Sequence, residues 1–167
     1  MIPTIPAVIL VSIFGFNFST TDKTVFNLVN QERVENGVAP VIYSKKLEQS
    51  STRKACDMKK NNYFSHFSPN GKLWEFFTNV DYRYKFAGEN LAKDCTDKDC
   101  VTLWMQSPKH REIILDPKYA EGAVSRCGEY LALHFGTRLS IKEKLKIMIF
   151  RIRAILKQET VRLVINT

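Results

Sequence analysis

The chain has 167 residues, 44% apolar and 25% charged, with a formal net charge of +8. That length supports one domain with a proper core and is short for two, and the balance is that of a globular protein, which argues against wholesale disorder. The charge is uneven: from Thr137 onward eight Lys/Arg face two Asp/Glu, leaving only +2 on the preceding residues. A near-neutral body with a basic tail argues against a nucleic-acid-binding body.

The first twenty residues, MIPTIPAVILVSIFGFNFST, carry no charged side chain. They read as a signal peptide or an uncleaved N-terminal membrane anchor, and hence a secreted or extracytoplasmic chain, with a buried N-terminal strand as the alternative. No Lys or Arg precedes the apolar run, and no clean small-x-small cleavage site follows it. Asp22 is an N-cap for a helix carrying Val25, Leu28 and Val29, which Gly37 stops. APVIYS is a short extended link, after which Ser44 caps a second helix with Leu47, Ser51, Ala55 and Met58 on one face. Residues 71–87 have no periodic pattern and read as a long irregular connection.

A third helix is expected from Asp97 through Trp104, and Ser107-Pro108 restarts it with Ser as cap and Pro at the first helical position. Gly122–Cys127 and Tyr130–Gly136 read as two strands joined at Gly128-Glu129. In the second, Leu131, Leu133 and Phe135 point one way, and Tyr130, Ala132 and His134 the other. Helices and strands do not alternate as in a doubly wound sheet, so the fold class is α+β, in layers.

Four cysteines fit disulfides in an oxidising compartment, and four permit three pairings. Cys95 and Cys100 bound the short CTDKDC loop and are the favoured pair; four separate buried thiols are the alternative. In the tail, residues 137–167, one helical stripe holds Ile141, Leu145, Met148, Ile149, Ile152, Ile155 and Leu156. Lys142, Lys146, Arg153 and Lys157 lie beside it. Such a helix suits an anionic membrane surface through 138–167, or docks its stripe on the body and leaves the cations in water.

Three segments combine ligating side chains with turn or capping chemistry: YFSHFSPNG around His66, AGENLA around Glu89 and WMQSPKHREIIL around His110. Imidazole and carboxylate bind a divalent ion such as Zn2+, or pass protons in hydrolysis. The separations, 23 residues from His66 to Glu89 and 21 from Glu89 to His110, match no local metal motif. Each residue also has a bland reading: a turn histidine, a capping carboxylate and a surface histidine in a helix's first turn.

Together the segments are more specific. The run FNLVNQERVENGVAPVIYSKKLEQSSTRKACDMKKNNYFSHFSPNG, then AGENLA, SPKHREIIL, YAEGAV and YLALHFG resemble, in order, the CAP superfamily. This is the family of cysteine-rich secretory proteins, antigen 5 and pathogenesis-related 1 proteins, or SCP domains, and the likeness is to its prokaryotic branch. It covers residues 22–136 and implies a three-layer α-β-α sandwich with a His- and Glu-lined cleft. By match, His66 and Glu89 take cleft positions and His110 takes the histidine after the Ser-Pro. Ser107 stands near the place of a second glutamate in animal and plant members, and His134 is carried as a neighbour. The two-His, two-Glu tetrad of those members is not reproduced. The aromatics Tyr63, Phe64 and Phe67 are expected to anchor the loop that aims His66 at Glu89.

No nucleophile stands beside a general base in a recognisable motif, so the first reading is a non-catalytic or weakly catalytic extracytoplasmic module whose cleft binds a divalent cation or a small polar or lipid-like ligand. A hydrolase in which His66, Glu89 and His110 hold zinc and its activated water is the second reading. A membrane-surface protein acting through its tail is the third.

Overall fold

The computed structural model describes residues 20–69, 71 and 74–165. The apolar N-terminal run, residues 1–19, lies outside them. Helix α1 spans Thr20–Glu35, β1 Ile42–Tyr43, α2 Lys45–Lys60, α3 Glu75–Thr78 and β2 Tyr84–Lys93. Helices α4 (Asp97–Gln106) and α5 (Pro108–Leu115) precede the hairpin β3 (Glu121–Cys127) and β4 (Tyr130–Arg138), and α6 (Ile141–Ile165) ends the fold. The helix foreseen from Asp22 runs through that residue instead of starting at it. Gly37 ends it as expected, in the left-handed region at φ 74°, where a residue without Cβ is unstrained.

The four strands lie in the order β1-β3-β4-β2, with β1 parallel to β3 and the other pairs antiparallel. β4 is therefore interior to the sheet, and its alternation sorts two cores. Leu131, Leu133 and Phe135 pack with Val25 and Val29 of α1, Trp104 of α4 and Ile114 of α5. On the other face Tyr130 and Ala132 pack with Ala55 and Met58 of α2. Helices on both faces of one sheet make the three-layer α-β-α sandwich.

Residues 71–87 are less irregular than their pattern suggests. They contain α3, and Tyr84 already pairs with Arg138, opening a ten-residue strand. Both disulfides form, Cys95–Cys100 and Cys56–Cys127, the second tying α2 to the turn end of the hairpin. The four-thiol alternative is thereby excluded.

Among the described residues two cations are fully buried. Arg33, at the end of α1, donates to the carbonyls of Ala39 (2.8 Å), Ile114 (2.5 Å), Asp116 (3.2 Å) and Tyr119 (3.3 Å), stitching α1 to the chain after α5. Burial lowers its pKa, and nearby Asp116 opposes that shift. Lys54, on the inner face of α2, is the other and belongs to the site.

Candidate functional site

Register builds the site. In the β2–β4 ladder Glu89 stands opposite His134, so the two side chains share the face that α2 covers. His134 Nε2 lies 2.8 Å from Glu89 Oε2, and His134 Nδ1 lies 2.9 Å from Ser50 Oγ on α2. The Phe77 ring stacks on His134 at 4.4 Å. From the loop after α2, His66 Nδ1 reaches Glu89 Oε1 at 2.7 Å. One carboxylate thus bridges two imidazoles, one buried and one whose side chain is 47% exposed.

The loop is placed by Lys54, whose Nζ donates to the carbonyls of Ser65 (2.7 Å) and His66 (3.1 Å) and to the Tyr63 hydroxyl (3.3 Å). Tyr63 anchors as expected, donating in turn to Asp57 Oδ2. Phe64 is half-exposed but its ring meets that of buried Tyr130 at 6.4 Å, whereas Phe67 is exposed and makes no such core contact. Phe67 instead lines the cleft. The turn at Ser68 forms, with the Gly71 amide donating to the Ser68 carbonyl.

Burial raises the Glu89 pKa, but the hydrogen bonds from His134 and His66, and the charge of Lys54 behind them, outweigh it and hold the pKa at about 2. An ionised carboxylate accepts only, so both ring nitrogens facing it carry hydrogens. This leaves Nε2 as the free nitrogen of the half-exposed His66 ring, an acceptor in the neutral ring and a donor in the protonated one.

His110 sits in the first turn of α5. Its Nδ1 is 2.9 Å from Ser107 Oγ, and its carbonyl accepts from Asn90 Nδ2 at 3.0 Å, the residue next to Glu89. Burial, and then the charge of His66, lower its pKa. Ser107 takes the N-cap position of α5, as expected, but its hydroxyl serves the His110 ring rather than the helix backbone. Glu89 and His66 are therefore in direct contact, and the His110 segment is tied to them through its backbone carbonyl and Asn90.

Of the residues expected in the cleft, His66 and Glu89 line one of about 380 Å³ together with Phe67, Trp74, Ala87, Gly88, Ile113 and Tyr119, whereas His110, Ser107 and His134 are not part of its lining. Gly88 is needed here: a Cβ at this position would lie 2.5 Å from the Tyr119 hydroxyl, which donates to the Ala87 carbonyl and closes one wall. Trp74 lines another wall with a left-handed backbone, φ 69°, a conformation uncommon for a bulky side chain.

The donor set does not fit the metal expected for it. Both Glu89 oxygens are engaged by imidazole N–H groups, and His110 turns one nitrogen to Ser107. Among the described residues no group of three or more His, Cys, Asp or Glu is arranged to hold an ion. Ser50, His134 and Glu89 copy the connectivity of a hydrolytic triad, but Ser50 and His134 have no exposed surface, so no substrate carbonyl meets that hydroxyl. Cys56 is in a disulfide and offers no thiolate.

Sequence reasoning missed Ser50 and Lys54, which read as ordinary polar positions of an amphipathic helix. It carried His134 only as a neighbour, whereas the residue is interior to β4 and in contact with Glu89. The alternation of Tyr130, Ala132 and His134 on one face was the signal available for it.

The model of the Cysteine-rich secretory protein family, CAP, matches residues 26–132. The chain belongs to the CAP family. The CAP domain is 39% identical over 103 residues to the uncharacterized Bacillus subtilis protein YkwD, and 30% over 119 residues to the uncharacterized membrane protein YlbC of the same bacterium. Those stretches are 60% and 70% of this chain but only 40% and 34% of the relatives, so it spans less than half the length of either. An extracellular SCP-domain protein from Bacillus anthracis superposes with a TM-score of 0.69 at 24% identity, over 71% of this chain and 40% of that one. An outer surface protein of Borrelia burgdorferi gives 0.66 at 17%, over 70% and 92%. A cysteine-rich secretory protein from Staphylococcus aureus gives 0.61 at 19%, over 70% and 38%. These likenesses concern the CAP fold alone.

Acid should unlock this site. The Glu89 pKa is lowered on folding, so the stability it contributes is complete above its ordinary value of 4.5 and is lost as pH falls toward about 2. The shift corresponds to about 3 kcal/mol at full loss. Urea unfolding between pH 6 and pH 2.5 should show this fall, and Glu89→Gln should flatten it. An equally steep fall in the variant would assign the acid sensitivity to other carboxylates.

Proposed function

We propose that this CAP domain is an extracytoplasmic binding module whose cleft takes a small polar or lipid-like ligand without converting it. The observation that carries the reading is that His66, half-exposed, is the one histidine among the described residues lining a cleft of otherwise mostly apolar and aromatic walls. The pattern matches ligand sites in which a few fixed polar groups orient a mostly apolar body. Glu89 acts from behind, fixing the ring's tautomer and direction. The extracytoplasmic setting is supported by the apolar first twenty residues, by two disulfides, and by likeness to proteins described as extracellular and outer-surface.

Zinc-assisted hydrolysis has less support, because the engaged Glu89 oxygens leave no donor set for an ion with an open water position. The discriminating experiment measures zinc after mild purification of the wild type and of His66→Ala, alongside native mass spectrometry for a co-purifying organic ligand. The expected result is substoichiometric zinc unaffected by the substitution, with any organic adduct reduced in the variant. Zinc near one equivalent that His66→Ala releases would replace this reading with the hydrolase.

A further inference from the structure

The cleft makes no use of α6. This helix meets the body along one flank only. Glu143 pairs with Lys85 of β2 at 3.0 Å, and Lys144, Ile147, Met148, Arg151 and Ile152 face Arg83 and Leu139 across an open groove of about 410 Å³. The remaining apolar stripe is left in solvent: Ile141 is 86% exposed, Leu145 49% and Ile149 40%.

At about 100° per residue, Ile141, Leu145 and Ile149 span an arc of about 80°, with the half-exposed Met148 and Ile152, at the lip of the groove, on its side toward the body. Lys142, Lys146 and Arg153 border that arc on the outer side, and Lys144 and Arg151 on the side of the body. Among the described residues none of these five cations makes a salt bridge, and the one acid in residues 141–153, Glu143, is engaged by Lys85 and Ser140. The helix therefore shows an apolar stripe between two uncompensated positive borders.

No helix among the described residues is long and apolar enough to cross a membrane. We infer that α6 is an interfacial helix that lays the domain on an anionic lipid surface, its stripe sunk to the headgroup boundary and its lysines and arginines reaching the phosphates. Charge decides among the occupants. A second copy would set positive border against positive border, and a neutral partner would leave five cations without function, whereas an anionic bilayer satisfies stripe and borders together.

The test places a reporter on each side of the full-length chain's helix. Leu145→Trp lies within the stripe, and Phe150→Trp lies on the opposite side, at a position 74% exposed. Wild-type emission from Trp74 and Trp104 is subtracted. On phosphatidylglycerol/phosphatidylcholine vesicles with brominated acyl chains, the Leu145→Trp signal should shift to the blue and lose at least half its intensity, and Phe150→Trp should be quenched much less. Both effects should disappear on pure phosphatidylcholine and at high salt. Lys142→Gln/Lys146→Gln/Arg153→Gln in the Leu145→Trp background should raise the lipid concentration for half-maximal quenching at least tenfold. Because the reporter reads α6 itself, vesicle binding through another segment does not imitate the result. An unquenched Leu145→Trp, equal quenching on neutral vesicles, or a blue shift without lipid in a species that sediments as a dimer would each overturn the proposal, the last by showing the stripe covered by a second copy.

Discussion

Trp104→Ala is expected to lower the unfolding free energy by about 3–5 kcal/mol, as truncation of a large core aromatic does. Trp104 is 2% exposed and sits where α4 meets the sheet, packed among Val25, Val29, Leu131 and Leu133. Its Nε1 also donates to the Leu91 carbonyl at 2.9 Å, a bond to the same strand that carries Glu89. The substitution removes both the indole volume and that donor. The volume dominates, because a buried carbonyl without its partner costs only about 1–3 kcal/mol and the cavity itself has room for a water to meet it. Trp104→Phe separates the two effects: it keeps much of the ring, deletes the donor, and should cost about 1–2 kcal/mol. Urea unfolding followed by far-ultraviolet circular dichroism measures both, independent of indole emission. A near-neutral Trp104→Ala would mean that α4 does not pack on the sheet through this residue.

The helices were legible because their burial is amphipathic. Leu47, Ala55 and Met58 recur at helical spacing on α2 and are buried together, and the two faces of β4 follow from strict alternation. The hairpin at Gly128-Glu129 was legible from its turn chemistry, and the Cys95–Cys100 clip from proximity in the chain. Strand β2 was not. From Gly88 to Ala92 it is buried on both faces, so no alternation survives, and its Glu and Asn resemble loop residues. Glu89 is tolerated inside because His66 and His134 arrive from elsewhere to satisfy it, while Asn90 gives its Nδ2 to the His110 carbonyl and keeps a buried Oδ1 without a partner. Burial of a polar group that depends on distant partners leaves no local mark, and likeness to a family was what joined His66 to Glu89. Arg33 was hidden for the same reason, as its carbonyl partners on α5 and beyond lie far along the chain.

Lys54 is the strongest case of this kind, and Lys54→Met should be nearly as damaging as loss of Trp104. The ammonium has no exposed surface and lies 4.9 Å from the centre of the Tyr63 ring and 5.2 Å from that of Phe76. Burial lowers its pKa, while the carboxylate of Glu89, chief among nearby acids, opposes that shift. Methionine keeps much of the stem but orphans the carbonyls of Ser65 and His66 and removes a positive neighbour from Glu89. Charge-assisted bonds contribute about 1.5–3 kcal/mol each, and part of that is recovered because no ammonium need be desolvated, so the net cost should be about 3–4 kcal/mol. The loss should also be local in a way that a core cavity is not. In native-state hydrogen exchange, amides of residues 64–68 should open at lower free energy than those of α4, and the His66 ring should lose its fixed direction toward Glu89. Uniform loss of protection across both regions would make Lys54 a general core residue. Selective loosening of the loop would make it the clamp that sets the one imidazole lining the cleft, so any ligand held by that ring should bind more weakly even at temperatures where the variant remains folded.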